Sequence, residues 1–538
     1  MEKNNINKLL SIIFVTGAIV LSLELLASRI LLPFFGSSIY IWTSILSVTL
    51  IFLAFGYQLG GWITSKVSSN YYEELFIFIP FVSAIFILIS TLAYPILLPY
   101  LLNFNLLAGC FIGSSLLLAI PLILMSSLNP ILISIIKSKN DQSSDSKSGF
   151  ILSISTFGSV FGVIFTGLVL IPNLTNFSSL IYNTFFLISY NLIIYFFIGF
   201  RSFQKLKKLF LFFNLIIIIF LSTIILFKEN YLDYFTSTKN NNSRISTIEY
   251  ESPSFYGNIK VIKVKNSKNK IKSKYILFQD GLMQNTTDDN GNSLNQYIWT
   301  MYYLTKLSKK TDNALVLGFG AGIIPVKLSN QGFHVDTVDI NPNLLNIAKT
   351  YFNYKSVNIK FFVSDARTYV RKCKKKYDVI VIDLFMADGV PEHLTTKEFY
   401  QDLKSCLNND GIVVSNTFMD FTNKLGFNSV LSTFNTVFKD VYYSNKVKNR
   451  VDNLFIVASR KGVIKNLDLS INFNSTPKHI TPKIISILKS FEKFKDKEFN
   501  DQNIFFDEKN DYSIVFAKSF LHFRKILFSN TPSRFLIN

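Results

Sequence analysis

Two hydropathy regimes divide the chain. From residue 9 to about 227, apolar positions run almost without interruption in seven blocks, near 9–32, 39–64, 76–100, 105–137, 149–171, 177–200 and 208–227. A helix needs about 20 apolar residues to cross a hydrocarbon core, and each block is long enough. Beyond 228 the pattern breaks into short runs. Alternation over Asn258 to Val264 and Lys274 to Gln279 predicts an antiparallel hairpin, a helix is predicted from about Leu294 to Leu307, and from Ala314 apolar strands alternate with helices. The predicted fold class is therefore a multi-pass α-helical membrane domain plus an α/β Rossmann-like domain with a small N-terminal β-hairpin subdomain. The implied boundaries are 1–228 for the polytopic part, 229–248 for a linker, 249–310 for hairpin and helix, 311–465 for the Rossmann-like domain and 466–538 for a charged extension. That extension has helix-like stretches at Pro482 to Phe494 and Ile514 to Phe528.

Candidate chemistry concentrates in ALVLGFGAGIIPVKLSNQGFHVDTVDINPNLLNIA, from Ala314 to Ala348. Ala314 to Leu317 reads as a buried strand, Gly318 to Gly322 as a tight turn with glycines at Gly318, Gly320 and Gly322, and Ile323 to Asn330 as a helix. A glycine turn between strand and helix lets backbone approach a ligand closely. A second strand ends in Asp339, about 20 residues on, where a carboxylate can accept both hydroxyls of a ribose. Ile359 to Val363 gives a third strand closed by Ser364, Asp365 and Ala366, and Tyr377 to Ile382 a fourth closed by Asp383. Three successive strands thus end in aspartates, and open parallel sheets bind ligands beyond the carboxyl ends of their strands.

Composition agrees with this division. Apolar residues make up 49% and aromatics 15% of the 538 residues, and mean hydropathy is +0.31, greasy for a soluble enzyme of this size. The net charge of +20 comes from lysines scattered through an Asn-, Ile- and Phe-rich chain, which reads as solvated surface; the short basic run Arg371 to Lys376 gives no case for nucleic acid. Cys110, Cys373 and Cys406 lack metal-ligand spacing, so no metal site and no disulfide framework is expected.

Lys3 and Lys8, Lys66, Lys137, Lys139 and Lys147, and Arg201, Lys205, Lys207 and Lys208 alternate with loops that carry no basic residue, near Pro33 to Ser38, Leu101 to Asn105 and Pro172 to Asn176. The positive-inside rule makes the amino terminus cytoplasmic. Seven spans would then put the soluble half outside, whereas adenosyl nucleosides are made in the cytosol. The expectation is a multi-pass cell-membrane protein with a cytosolic soluble domain, and the block 105–137, with Pro121 and Asn129-Pro130, is where the span count is first suspected, as a broken or re-entrant segment. Glu24 and Arg29 stand inside the first block. Five residues apart, they lie about 140° round a helix and do not stack on each other, so each needs another partner.

Strand pair, Asp280-Gly281-Leu282-Met283-Gln284, acidic pair Asp288-Asp289, a Tyr-bearing helix and the glycine-turn sheet follow in an order that resembles the spermidine synthase family, from about Glu249 to Phe418. GAIVLSLELLASRILLPFFGSS followed by LAFGYQLGGWITSK resembles the first two spans of its integral-membrane members. The resemblance implies turn glycines at Gly318, Gly320 and Gly322, a ribose carboxylate at Asp339, an adenine-side pair at Asp365-Ala366 and Gln284 in the DGxxQ motif. It departs on the acceptor side, where the family's turn acid is Ala321 and its amine-activating acid is Met386. Asp388, Glu392 and His393 are the replacement candidates.

The leading expectation is a transferase that takes S-adenosylmethionine or decarboxylated S-adenosylmethionine as co-substrate and moves an aminopropyl or methyl group to a small-molecule acceptor. Asp383 would orient acceptor or sulfonium, and Asp388 or His393 would act as base. Ala321, leaving room for a methionine carboxylate, tilts the reading toward methyl transfer. The partners are the lipid bilayer and small molecules, with a homodimer left open. A membrane carrier or sensor with a non-catalytic nucleoside domain is the alternative, supported by Glu24 and Arg29; an inactive structural fold is a third reading.

Overall fold

The structure is a computed structural model that describes residues 3–36, 39–138, 144–198, 204–236, 244–266, 274–355, 358–385, 389–445, 450–460, 473, 476–495 and 504–537. The apolar half is built from α1 (Lys3–Phe35), α2 (Ile39–Lys66), α3 (Tyr72–Leu101), α4 (Leu106–Lys137), α5 (Ser144–Phe165), running through a π turn into the short α6 (Ile171–Asn173), then α7 (Asn176–Ile198) and α8 (Gln204–Leu226). Among the described residues seven helices have the length and composition to cross a membrane. α4 is one unbroken helix despite Pro121 and Pro130, so the suspected break is not there and the odd count stands.

Small residues let these helices touch backbone to backbone. A Cβ at Gly158 or Gly162 of α5 would fall 2.1 Å from Phe14 O or Ala18 O of α1, and one at Gly60 of α2 would fall 2.4 Å from Ser127 O of α4. Such close approach maximises dispersion where lipid leaves no hydrophobic driving force between helices. Glu24 and Arg29 go to different partners: Glu24 is buried beside Thr49 of α2, while Arg29 leaves the bundle altogether, as described below.

The stretch expected as a linker holds α9 (Lys228–Thr236) and the start of β1 (Arg244–Ser252); its Asn-rich part, 237–243, lies outside the described residues. β1 continues into β2 (Ile259–Asn266), β3 (Lys274–Gln279) and β4 (Leu282–Asp288), a four-stranded antiparallel sheet that contains the predicted hairpin as its centre. α10 (Gln296–Thr305) leads into the main domain. There β5 (Asn313–Leu317), α11 (Ile323–Ser329), β6 (His334–Asp339), α12 (Leu344–Tyr351), β7 (Ile359–Val363), α13 (Ala366–Arg371), β8 (Tyr377–Ile382), α14 (Lys397–Cys406), β9 (Leu407–Asp420), α15 (Lys424–Val437), β10 (Asp440–Ser444) and β11 (Val451–Ser459) follow in turn.

The predicted helix at Pro482 to Phe494 is only partly one. α16 (Thr481–Leu488) stops, and β12 (Phe491–Lys493) joins β10 at the sheet edge, with Lys493 Nζ 2.6 Å from Asp440. α17 (Tyr512–Asn530) closes the fold. The sheet order is β12-β10-β11-β9-β8-β5-β6-β7, with β9-β8-β5-β6-β7 parallel. Entry at β5, outward growth to β6 and β7 and a return to β8 on β5's other side create a switch point between β5 and β8.

The two halves meet at one end of the bundle. Arg29 Nη2 donates to Ser254 O at 2.7 Å, Arg524, fully buried in α17, donates to Pro33 O at 2.7 Å, and Arg534 pairs with Asp233 at 2.9 Å and with Glu229. Pro33 lies in the last turn of α1, so the soluble half sits where the loops carry no basic residue, at the end opposite the amino terminus.

Candidate nucleoside and transfer site

Strand register puts the expected residues along one edge. Leu317 lies opposite Val338 and Ile382, and Asp339 opposite Val363, so Gly318, Asp339, Asp365 and Asp383 leave the sheet side by side. Hydrogen bonds carry the ladder past the strand ends: Gly318 N to Val338 O and Asp383 N to Leu317 O, both 2.9 Å. Gly318 has φ +93°, and a Cβ there would fall 2.1 Å from Asp383 O, so only glycine fits between the two loops.

Asp339 is recessed, and burial raises its pKa against the pull of backbone N–H groups from Asn341 and Phe319, at 2.9 Å each. The carboxylate stands at the carboxyl end of β6, where open parallel sheets meet a ribose diol. Asp365 caps α13 by accepting from Thr368 N at 2.8 Å. Burial works to raise its pKa, but that bond and the one from His393 outweigh it and hold the carboxyl below its usual range.

Burial pushes Asp383 up to about 6, although Asn416 Nδ2 donates to it at 2.9 Å. Asn416 is itself held by Asn453 Nδ2 at 2.8 Å, a relay from β11 through β9 to β8. On the other side stands Tyr297 of α10, whose phenol is pushed well above its usual range by burial and then by the charge of Asp383. Tyr297 donates to Gln284 O at 2.5 Å and accepts from Asn285 Nδ2 at 2.6 Å, while Asn285 Oδ1 accepts from Ala321 N at 2.8 Å. A carboxylate near pKa 6 beside fixed hydrogen-bond groups can take a proton from an incoming nucleophile near neutral pH.

One sequence expectation changes. Ala321 is buried in the core, with its amide held by Asn285, so it opens no room for a methionine carboxylate. His393 Nε2 lies 3.1 Å from Asp365 Oδ2 with its side chain half exposed, and Arg367 donates to the His393 carbonyl. Asp388, with Met386, lies outside the described residues. Asn285, Tyr297 and Asn416 were not foreseen. Asn285 adjoins the DGxxQ motif and Tyr297 lies on the Tyr-bearing helix, but Asn416 becomes visible only once β9 is placed beside β8.

An edge of this kind, with glycine turn, recessed carboxylate and switch point, belongs to a Rossmann-like α/β domain. Residues 296–454 match the family model described as spermine/spermidine synthase domain. A polyamine aminopropyltransferase of Vibrio vulnificus (strain CMCP6) is 34% identical over 155 residues, 28% of this chain and 50% of that protein. An N-terminal histidine N-methyltransferase of Emericella nidulans is 33% identical over 132 residues, covering 23% of this chain and 24% of that protein. A probable spermidine synthase from Corynebacterium glutamicum covers 47% of this chain and 91% of its own at 17% identity, with a TM-score of 0.38. The chain spans about half the length of the first of these curated relatives. The family match contains Gly318, Asp339, Asp365, Asp383 and Asn416; Gln284 and Asn285 precede it.

Proposed function

We propose that this chain is a membrane-embedded transferase that binds an adenosyl sulfonium nucleoside, decarboxylated S-adenosylmethionine ahead of S-adenosylmethionine, and passes its aminopropyl group to an amine. The observation that carries this reading is Asp383: a recessed carboxyl with its pKa pushed up to about 6, at the strand edge shared with Asp339 and inside the matched domain. Asp339 would hold the ribose hydroxyls, Asp365 the adenine side, and the glycine turn the backbone approach. Asp383, oriented by Asn416, would accept the proton that the amine must lose to become a nucleophile. With Ala321 closed into the core, the turn no longer favours methyl over aminopropyl transfer. Full-length protein offered each nucleoside with amine acceptors tests the reading: release of 5′-methylthioadenosine supports aminopropyl transfer, S-adenosylhomocysteine would mark methyl transfer, and binding without either product would leave only a sensor.

We further propose that the soluble half faces away from the cytosol. Lys8, Lys66, Lys137 and Lys208 lie at the far end of the bundle, and the sequence has no Lys or Arg in the inter-span loops beside the soluble half. Positive-inside bias with seven spans then places the site outside. A membrane-impermeant thiol reagent on intact cells carrying Lys310→Cys reads this directly; labelling only after permeabilisation would put the site in the cytosol.

A further inference from the structure

A cleft of about 760 Å³ lies where the loop after β8 meets the ends of α1 and α2. One wall is Val390, Glu392 and His393, the segment that follows Asp383 and is tied to Asp365 at the strand edge. The facing wall comes from the apolar half: Arg29 near the end of α1, and Ile39 and Trp42 in the first turn of α2, which are 51% and 49% exposed. A surface-exposed tryptophan and isoleucine beginning an apolar helix stand at the level where a bilayer's headgroups meet its acyl chains. The cleft therefore has a charged end toward the nucleoside edge and an apolar side continuous with the lipid-facing surface of α2.

Its charges decide what fits. A polyamine carries several ammonium groups and needs several carboxylates when desolvated. Among the described residues that line the cleft there is one carboxylate, Glu392, against the guanidinium of Arg29 and the imidazole of His393. One anion and one fixed cation complement a zwitterion with one amine and one phosphate. We infer that this cleft is the acceptor site and that it takes the headgroup of a phospholipid bearing a primary amine, drawn from the bilayer beside α2. Phosphate would lie toward Arg29, ammonium toward Glu392, and one acyl chain along Trp42 and Ile39.

This inference rests on the transferase reading. In the step it implies, the neutral amine attacks the propyl carbon next to the sulfonium, the carbon–sulfur bond breaks with its electron pair going to sulfur, the thioether nucleoside leaves, and the amine's proton passes to Asp383. The product is a lipid with one aminopropyl group on its headgroup nitrogen.

The test uses full-length protein in vesicles of phosphatidylethanolamine with phosphatidylcholine, or of phosphatidylcholine alone, whose quaternary nitrogen has no proton to lose. Decarboxylated S-adenosylmethionine labelled in its aminopropyl carbons is supplied with or without a soluble diamine. Label should enter the lipid fraction only with phosphatidylethanolamine, and Trp42→Ala or Ile39→Ser should lower that transfer by about tenfold while leaving nucleoside binding unchanged. Transfer to the soluble diamine at equal rates in both vesicles, unaffected by either substitution, would overturn the lipid acceptor and keep the transferase. Nucleoside binding with no thioether product from any acceptor would overturn the transferase reading, and the inference with it.

Discussion

Replacing Asp383 by asparagine should make the protein more stable and abolish transfer at the same time. Its carboxyl sits at about 6 where an ordinary aspartate sits at 3.8. At about 1.4 kcal/mol for each tenfold change in the ionisation constant, this is roughly 3 kcal/mol against ionisation in the folded state, and water reaching the recessed group lowers it to between about 1 and 3. The sign follows from linkage. A carboxyl whose folded pKa is raised costs nothing below the unfolded value, where both states are protonated; the cost grows between 3.8 and about 6 and is constant above. The oxygen of the substituted amide can accept from Asn416 Nδ2 as the carboxylate does, so Asn416 keeps its partner. Unfolding of the full chain in detergent, at about pH 7.5 and about pH 4, should show a higher midpoint for the variant at the first pH and almost no difference at the second. Transfer by the variant should fall by about 10²-fold or more, and the wild-type rate should rise with pH through about 6 as the base ionises. A variant less stable at neutral pH, or stabilised equally at both, would refute the claim that this carboxylate is held uncompensated for chemistry.

Three further substitutions probe the rest of the site. Asp339→Ala should weaken nucleoside binding roughly 10- to 100-fold by calorimetry, because the amides of Phe319 and Asn341 lose their acceptor together with the ribose; unchanged affinity in a folded variant would remove Asp339 from the pocket. Gly318→Ala should abolish nucleoside binding and cost at least about 1 to 3 kcal/mol, since φ +93° and a contact of 2.1 Å to Asp383 O cannot both be kept; a variant that binds normally would mean the turn is not rigid. Arg29→Gln should raise KM for the nucleoside several-fold with kcat little changed, through Ser254, whose carbonyl takes Arg29 at 2.7 Å and whose hydroxyl takes Asn341 Nδ2 at 3.3 Å beside Asp339; a loss confined to kcat would place Arg29 at the acceptor alone.

The nucleoside edge was legible because its signals are local. Apolar strands, glycines that a turn needs and an aspartate at each strand end appear consecutively between Ala314 and Asp383, and local order fixes which groups share the sheet's carboxyl edge. Seven apolar blocks gave seven helices for the same reason. The errors arose where distant context decides. Pro121 and Pro130 do not break α4 within a packed bundle, and Phe491 to Lys493 read as helix but is drawn into the sheet by the free edge of β10. Ala321 looked like a vacancy in one dimension, yet Asn285, contributed by β4, already occupies the turn's amide.

What the sequence could not display is the relation between the halves, and this is where the acceptor question is decided. A membrane anchor needs only a tether. This interface instead holds Arg524 and Arg534 almost wholly out of water, together with Lys260 of β2, which pairs with Glu251 at 3.4 Å and donates to the carbonyl of Ile537. Buried charges add little net stability, since desolvation offsets most of their attraction, but they penalise every alternative placement in which a partner is lost. Such a joint fixes orientation more than it adds strength. The orientation it fixes sets the loop after Asp383 over the first turn of α2, with Arg29 reaching from the bundle toward the residues that hold Asp339. The apolar half is thereby a wall of the site, and a nucleophile able to enter between that wall and the strand edge must be compatible with both lipid and an adenosyl nucleoside.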